Sequence, residues 1–139
     1  MPISYLTRIV EFTATHRIRR ADWSPERNAL EFGKAAGDHG HRYQCRVTVK
    51  GPLVAAAGGV MSLSALDALL ADEITARFDG RHINEAVPEF AEGRSIPTGE
   101  ALAVDVWQRL AGRLPRGVTL HAVRMQEGAH LYSEYFGEP

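Results

Sequence analysis

The order in which two side-chain periodicities follow one another is the feature that most constrains how this chain can fold. A strand places successive side chains on opposite faces, whereas a helix places residues three and four apart on one face. Strand-like segments come first, two helical segments follow one another, and strand-like segments return. Helices grouped in this way indicate an α+β fold, an antiparallel sheet with two helices packed on one face. The predicted strands are 3–16, 41–50, 53–61, 117–127 and 129–136, and the predicted helices are 63–78 and 99–114.

The sequence predicts a single domain over residues 1–139. A chain of 139 residues can bury one sizeable core, and we find no linker, repeat or low-complexity segment in it. Two helices cover only one face of the predicted sheet. Because the other face also needs a cover, we expect the chain to form a homo-oligomer.

Charge and hydropathy argue against two classes of partner. A formal net charge of −1 provides no basic field for nucleic acid. No apolar run approaches the roughly 20 residues that span a bilayer, so we expect no membrane partner. The first residues show no charged segment followed by an apolar one, and Cys45 is the single cysteine, which rules out an internal disulfide. We therefore expect a cytoplasmic protein, in which Cys45 is a small hydrophobe on the packed face of its strand.

The long connection between the first two strands contains one helix signal. Ser24 followed by Pro25 is a typical helix start, with proline at the first helical position. Gly33 is placed to end that helix. The sequence thus predicts a short helix near residues 25–32.

Three histidines suggest a metal site. His39 and His41 flank Gly40 at the start of a strand and so point to the same face. His16 ends the first strand, on the face that also carries Phe12 and Ala14. Three neutral imidazoles with an open fourth position are a catalytic zinc arrangement. By spacing alone, a surface histidine pair and a hydrogen-bonded core histidine explain the pattern equally well.

Four short blocks in a fixed order carry a family resemblance. They are Phe-Thr-Ala-Thr-His (12–16), Ser-Pro-Glu-Arg-Asn (24–28), Phe-Gly-Lys (32–34) and His-Gly-His-Arg-Tyr (39–43). Together they resemble the 6-pyruvoyl-tetrahydropterin synthase and 6-carboxy-tetrahydropterin synthase family, and further matches downstream extend the resemblance over nearly the whole chain. The resemblance implies the tunnelling fold, in which trimeric barrels stack as hexamers with active sites at subunit interfaces.

The resemblance also implies the residues of the site. It identifies His16, His39 and His41 as zinc ligands. It aligns Glu127 with the glutamate that anchors the pterin, where a carboxylate accepts the 2-amino and N3 hydrogens of the heterocycle. It aligns Thr98, in Pro-Thr-Gly-Glu (97–100), with a residue that contacts the pterin ring. A helix N-cap at Thr98 is compatible with that role.

Two catalytic positions of the family are changed in this sequence. The family has a cysteine, acting as general base, directly after Phe-Gly-Lys, where this chain has Ala35. The family also has an Asp-His pair that assists proton transfer, where this chain has Asp79 followed by Gly80.

Three replacements for the missing base are conceivable. His82 could reach inward beside Asp79, and Asp38 precedes the first ligand of the histidine pair. A hydroxide on the zinc ion is the third, because zinc lowers the pKa of water to about 7. We therefore name Asp79, His82 and Asp38 as candidate catalytic residues. As single residues, Asp38 is also a common turn former and His82 is also explained as a solvent-exposed histidine.

The expected function is that of a zinc-dependent lyase acting on the side chain of a pterin or related heterocycle. The changes at Ala35 and Gly80 favour an altered reaction outcome, such as carbon–carbon cleavage. The first alternative is a non-catalytic protein that binds zinc and a heterocycle. The second is a structural α+β protein without a ligand, which the retention of Asp79, Glu127 and the three histidines disfavours.

Overall fold

The first two predicted strands form the long antiparallel pair on which the structure is built. In the computed structural model, which describes residues 1–56 and 58–139, they are β1 (Ile3–His16) and β2 (His39–Pro52). They pair without interruption from Ile3 opposite Pro52 to His16 opposite His39. The prediction for 3–16 is confirmed, and the second strand extends beyond 41–50 at both ends. This register places the end of β1 and the start of β2 side by side.

Three further strands complete a five-stranded sheet in the order β3-β1-β2-β4-β5. They are β3 (Arg81–His82), β4 (Thr119–Glu127) and β5 (Leu131–Tyr135). β4 pairs antiparallel with β2, and β5 pairs antiparallel with β4. The short β3 pairs parallel to β1 through Thr15 and His82, so the sheet has one parallel edge that the alternation of side chains did not predict. Its two residues are too few for a periodic signal.

The helices begin at the predicted residues, but one of them contains an interruption and another an early end that the sequence did not predict. Ser24 and Thr98 accept hydrogen bonds from first-turn N–H groups as N-caps of α1 and α5. The predicted helix 63–78 contains a π-helical turn, and the predicted helix 99–114 ends at Leu110, shortly before Gly112 and Pro115. The helices are α1 (Pro25–Phe32), α2 (Leu63–Leu70), the π turn (Ala71–Thr75), α3 (Ala76–Phe78), α4 (Ile83–Ala86) and α5 (Gly99–Leu110), with 3₁₀ turns at Gly33–Ala36 and Pro88–Phe90.

The core lies between one sheet face and the helices, as the α+β prediction required. Residues of β2 alternate strictly, with Tyr43, Cys45 and Val47 fully buried. Burial raises the pKa of the Cys45 thiol to about 12, so it is not ionised at neutral pH and packs as a small hydrophobe. The apolar stripes of the two predicted helices meet this face, with Leu66, Leu70, Ile74, Phe78, Leu102, Val106 and Leu110 all buried.

The predicted strand at 53–61 is wrong for the residues that the structure describes. Val54 and Gly59 form a single isolated bridge, and the residues around them are turns. Gly58 has a φ of 69°, which turns the chain and prevents a strand from continuing. Ala57, which falls within this prediction, lies outside the described residues.

The opposite sheet face carries exposed apolar side chains. Ile3, Tyr5 and Ile9 on β1 are each about half exposed, as is Tyr132 on β5. Among the described residues, no helix is both long and apolar enough to cross a membrane.

Candidate metal centre and substrate pocket

The β1–β2 register brings the three predicted histidine ligands together. His16 lies opposite His39, and Ala14 lies opposite His41, so His39 and His41 flank the end of β1 on its packed face. One ligand atom from each imidazole lies within 4.8 Å of the corresponding atoms of the other two. The histidines therefore form a group that could hold a metal ion, as predicted.

Backbone carbonyl groups orient two of the imidazoles. His16 Nδ1 lies 2.9 Å from the Pro97 carbonyl oxygen, and His39 Nδ1 lies 2.8 Å from the Gly37 carbonyl oxygen. A carbonyl only accepts, so Nδ1 of each ring must carry the hydrogen and Nε2 must carry the lone pair. Bonds of this kind fix the tautomer and orientation of metal-binding histidines.

Burial favours the neutral form of His16 and His41. The pKa of His16 is lowered to about 4, chiefly by burial, although the hydrogen bond to Pro97 opposes the shift. Burial, and then the nearby His39, lower the pKa of His41. Neutral imidazoles with converging lone pairs are the donor set that zinc and similar divalent metals bind. The residues present therefore fit a metal ion.

The low pKa of His16 predicts a pH dependence for the metal-free protein. Its folded pKa of about 4 lies below the unfolded value of about 6.5. The stability that neutral His16 provides is therefore complete above about pH 6.5 and is lost as the pH falls toward 4. At about 1.4 kcal/mol per pH unit this loss is about 3 kcal/mol. Urea unfolding of metal-free wild type and His16→Gln at both pH values should show a smaller pH dependence in the variant. An equal pH dependence of the unfolding free energy in both proteins would contradict the lowered pKa of His16.

Glu127 completes one side of this group. It ends β4, and its Oε1 lies 3.8 Å from His16 Nε2 and 3.9 Å from His41 Nε2. Only 8% of its side chain is exposed. Burial, and then the charge of Glu100, raise the pKa of Glu127, while His39 lowers it. The predicted substrate anchor thus lies directly beside the predicted metal ligands.

The start of α5 lies next to Glu127. Thr98 is the N-cap, accepting from Ala101 N at 3.2 Å, and the preceding Pro97 holds His16. A Cβ at Gly99 would lie 2.7 Å from Glu127 Oε2 and 3.0 Å from Ser133 Oγ. The absence of a side chain at 99 therefore leaves room for the Glu127 carboxylate.

The structure brings two of the candidate catalytic residues together, but not in the arrangement first considered. His82 Nε2 lies 3.1 Å from Asp38 Oδ1, and Arg17 Nε donates to the same carboxylate at 2.7 Å. Arg17 and Asp38 are chain neighbours of His16 and His39, and such neighbours in extended backbone point to opposite faces. Within the described residues, this cluster makes no hydrogen bond to the three histidines.

Asp79 has a structural partner of its own. Its Oδ1 accepts from Thr13 N at 3.0 Å, and the next residue, Gly80, has a φ of 70° and donates to the Thr13 carbonyl at 2.7 Å. Asp79 and Gly80 therefore form a turn that holds the chain against β1. His82 is bonded to Asp38 and not to Asp79. Ala35, in the 3₁₀ turn after α1, has only a methyl group to offer.

Two residues near the site were not singled out from sequence. The Tyr43 hydroxyl lies 3.3 Å from both ring nitrogens of His16, and burial raises the pKa of its phenol, so it stays protonated. Alternation along β2, which puts Tyr43 on the face of His41, could have indicated this. Ser133, which donates to Glu100 at 3.3 Å, gave no such signal because it belongs to another strand.

Comparisons with known proteins agree in sequence and in fold. The sequence profile of the family described as 6-pyruvoyl tetrahydropterin synthase matches residues 5–138. The chain is 33% identical over 138 residues to the 6-pyruvoyl tetrahydrobiopterin synthase of Poecilia reticulata, covering 98% of this chain and 92% of that protein. It is 35% identical over 135 residues to the protein of the same name from Homo sapiens, covering 96% and 91%. The structure of Caenorhabditis elegans 6-pyruvoyl tetrahydropterin synthase superposes with a TM-score of 0.89 at 26% identity, covering 99% and 98%.

Proposed function

This chain belongs to the 6-pyruvoyl tetrahydropterin synthase family, and on that premise we propose that it is a zinc-dependent lyase acting on the side chain of a pterin or related heterocycle. One observation carries the proposal. A buried carboxylate, Glu127, lies 3.8 Å from one of three converging histidines. This pairing puts a group that recognises a heterocycle next to a group that recognises a metal.

We propose a role in metal or substrate binding for each residue of the site. His16, His39 and His41 would hold zinc, which when bound would polarise oxygen atoms on the substrate side chain and so make the adjacent C–H bond more acidic. Glu127 would accept two N–H hydrogens from the edge of the heterocycle. Thr98 would contact the ring from the start of α5. The carbonyl of Pro97 would keep the lone pair of His16 Nε2 directed at the metal.

Proton transfer is the step for which this chain differs from its family. Alanine at 35 cannot take a proton, and glycine at 80 cannot assist one. Among the remaining groups we propose Asp79, Asp38 and His82 as the acid–base candidates. The Asp38–His82 hydrogen bond favours these two acting as a pair, because a carboxylate orients an imidazole and stabilises its charged form. With the usual base absent, we propose that carbon–oxygen or carbon–carbon cleavage has an outcome different from that of the synthases.

The residues at positions 35 and 80 also favour a second candidate function, which is binding without catalysis. A protein that keeps the histidine group and Glu127 but has no residue to move a proton would bind zinc and a heterocycle without turnover. Turnover of any pterin substrate distinguishes the two.

Pterin fluorescence provides the direct binding test. We expect the fluorescence of neopterin to be quenched on titration with the zinc-loaded protein. In Glu127→Ala the affinity of the protein for neopterin should fall at least tenfold, because the two N–H groups of the heterocycle lose a charged acceptor. Glu134→Ala is the matched control, since Glu134 pairs with Arg124 on the other sheet face. Absence of quenching in the wild type would rule out a pterin as the substrate.

We also propose that the chain assembles as a trimer or hexamer. The exposed apolar side chains Ile3, Tyr5 and Ile9 on the uncovered sheet face support this assembly, because such a patch is typical of an interface. Light scattering at micromolar concentration should report three or six times the 15.3 kDa chain mass. A stable monomer would contradict the assembly. The cytoplasmic location likewise stays a prediction.

A further inference from the structure

The Glu127 carboxylate is largely buried, and among the described residues no group donates a hydrogen bond to it. Only 8% of the side chain is exposed. Its close polar contacts are to Nε2 of His16, which carries the lone pair when Nδ1 donates to Pro97, and to Nε2 of His41. Two acceptors facing each other in a buried site repel unless a cation lies between them. The arrangement therefore points to a cation that all of these atoms share.

The distances from Glu127 to the histidines lie close to those of a shared metal, and the ligand atoms of the three histidines lie within 4.8 Å of one another. In a tetrahedral zinc centre with bonds of 2.0–2.1 Å, ligand atoms lie about 3.3 to 3.4 Å from one another. Glu127 Oε1 lies 3.8 Å from one ligand nitrogen and 3.9 Å from another. A movement of about half an ångström between the carboxylate and the imidazoles closes this difference.

The backbone at the start of α5 fixes the orientation of this carboxylate. A Cβ at Gly99 would lie only 2.7 Å from Glu127 Oε2, so Oε2 rests against the Gly99 backbone. With Oε2 held there, Oε1 is directed at the histidines. The two oxygens thus face different neighbours.

From this geometry we propose that Glu127 Oε1 is the fourth ligand of the metal in the substrate-free protein. The inference rests on the proposed function for the presence of the metal and goes beyond it in assigning the open position. Three neutral imidazoles leave the full charge of a divalent ion uncompensated in a buried site, and Glu127 supplies one negative charge. Accepting two N–H groups from a heterocycle would draw the same carboxylate away from the metal position, and that position would then be open to an oxygen of the substrate.

Metal affinity and cobalt spectroscopy test this assignment without any assay of activity. Zinc affinity is measured by competition with a chromophoric chelator for wild type, Glu127→Gln and the control Glu134→Gln. Loss of an outer-shell partner typically weakens metal binding 10- to 100-fold, so loss of a ligand should weaken it at least tenfold in Glu127→Gln. The control should match the wild type. The cobalt-substituted wild type should show a visible spectrum that changes in Glu127→Gln and changes again on saturation with neopterin.

Each outcome decides a separate point. If Glu127→Gln binds zinc as tightly as wild type and gives the same cobalt spectrum, Glu127 is not a ligand, while the proposed function stands. If neopterin binds but leaves the cobalt spectrum unchanged, the exchange between metal and heterocycle is wrong. If the wild type takes up no zinc, both the inference and the proposed function are overturned. Glutamine preserves the shape of the side chain, so the comparison does not depend on a variant that fails to fold.

Discussion

Replacing His39 and His41 together by alanine is expected to reduce the zinc content from about one ion per chain to nearly none. Both imidazoles are partly exposed at the start of β2, so their removal should take away two ligands while the core stays intact. His16 and the proposed ligand Glu127 then supply at most two of the four ligands that a protein zinc ion usually takes. The measurement is elemental analysis of purified protein, with circular dichroism to confirm the fold.

The control for the zinc experiment is His130→Ala. His130 is exposed, in the turn between β4 and β5, and its loss should leave zinc content unchanged. Equal zinc in wild type and the double variant would show that the metal, if any, binds elsewhere. Absence of any transition metal from the wild type would remove the metal from the proposed mechanism.

The second large effect concerns turnover. The wild type is expected to convert dihydroneopterin triphosphate to 6-pyruvoyl- or 6-carboxy-tetrahydropterin poorly or not at all. Each positioned acid or base contributes typically 10²- to 10⁴-fold in rate, and by our proposal Ala35 and Gly80 replace the family's base and its histidine partner. Chromatographic analysis of the products checks this. Robust formation of either product would show that another residue serves as the base, and His82→Ala and Asp38→Ala would then be assayed.

The converse of the turnover experiment introduces the cysteine and the histidine that the family resemblance places at positions 35 and 80. Ala35→Cys combined with Gly80→His is expected to raise the rate of conversion over wild type by up to the same factor of about 10² to 10⁴. Gly80 has a φ of 70°, where a residue with a Cβ costs about 1 to 2 kcal/mol. Ala35→Cys with Gly80→Ala carries the same backbone strain without the imidazole and is therefore the control. Equal rates in the two double variants would show that position 80 does not act in catalysis here.

The order of strands and helices could be predicted from the sequence because side-chain periodicity is local. Alternation along 41–50 and helical spacing at 63–78 and 99–114 depend only on how backbone geometry repeats. The same locality explains what was missed. β3 has two residues and no period, and the 53–61 segment carries apolar residues but also the glycines that turn it.

The site residues also divide into those that were identified from sequence and those whose contacts only the fold revealed. His16, His39 and His41 were identified from sequence, because an i, i+2 pair on a strand and a block motif are visible in one dimension. Asp38 and His82 were named separately, and only the fold put them 3.1 Å apart. It also separated His82 from Asp79, whose carboxylate holds the backbone of Thr13.

The sequence by itself determined which residues are candidates to bind a metal and a heterocycle, and at which positions the proposed acid–base groups are absent. The tertiary structure alone decided how far apart they lie and which way they point. The Pro97 carbonyl sets the tautomer of His16 because the residue before the α5 N-cap lies next to the end of β1. Glu127 faces the histidines because β4 pairs with β2 in one register and Gly99 has no side chain. Distances between segments distant in sequence follow from strand register and packing, and no local pattern encodes either.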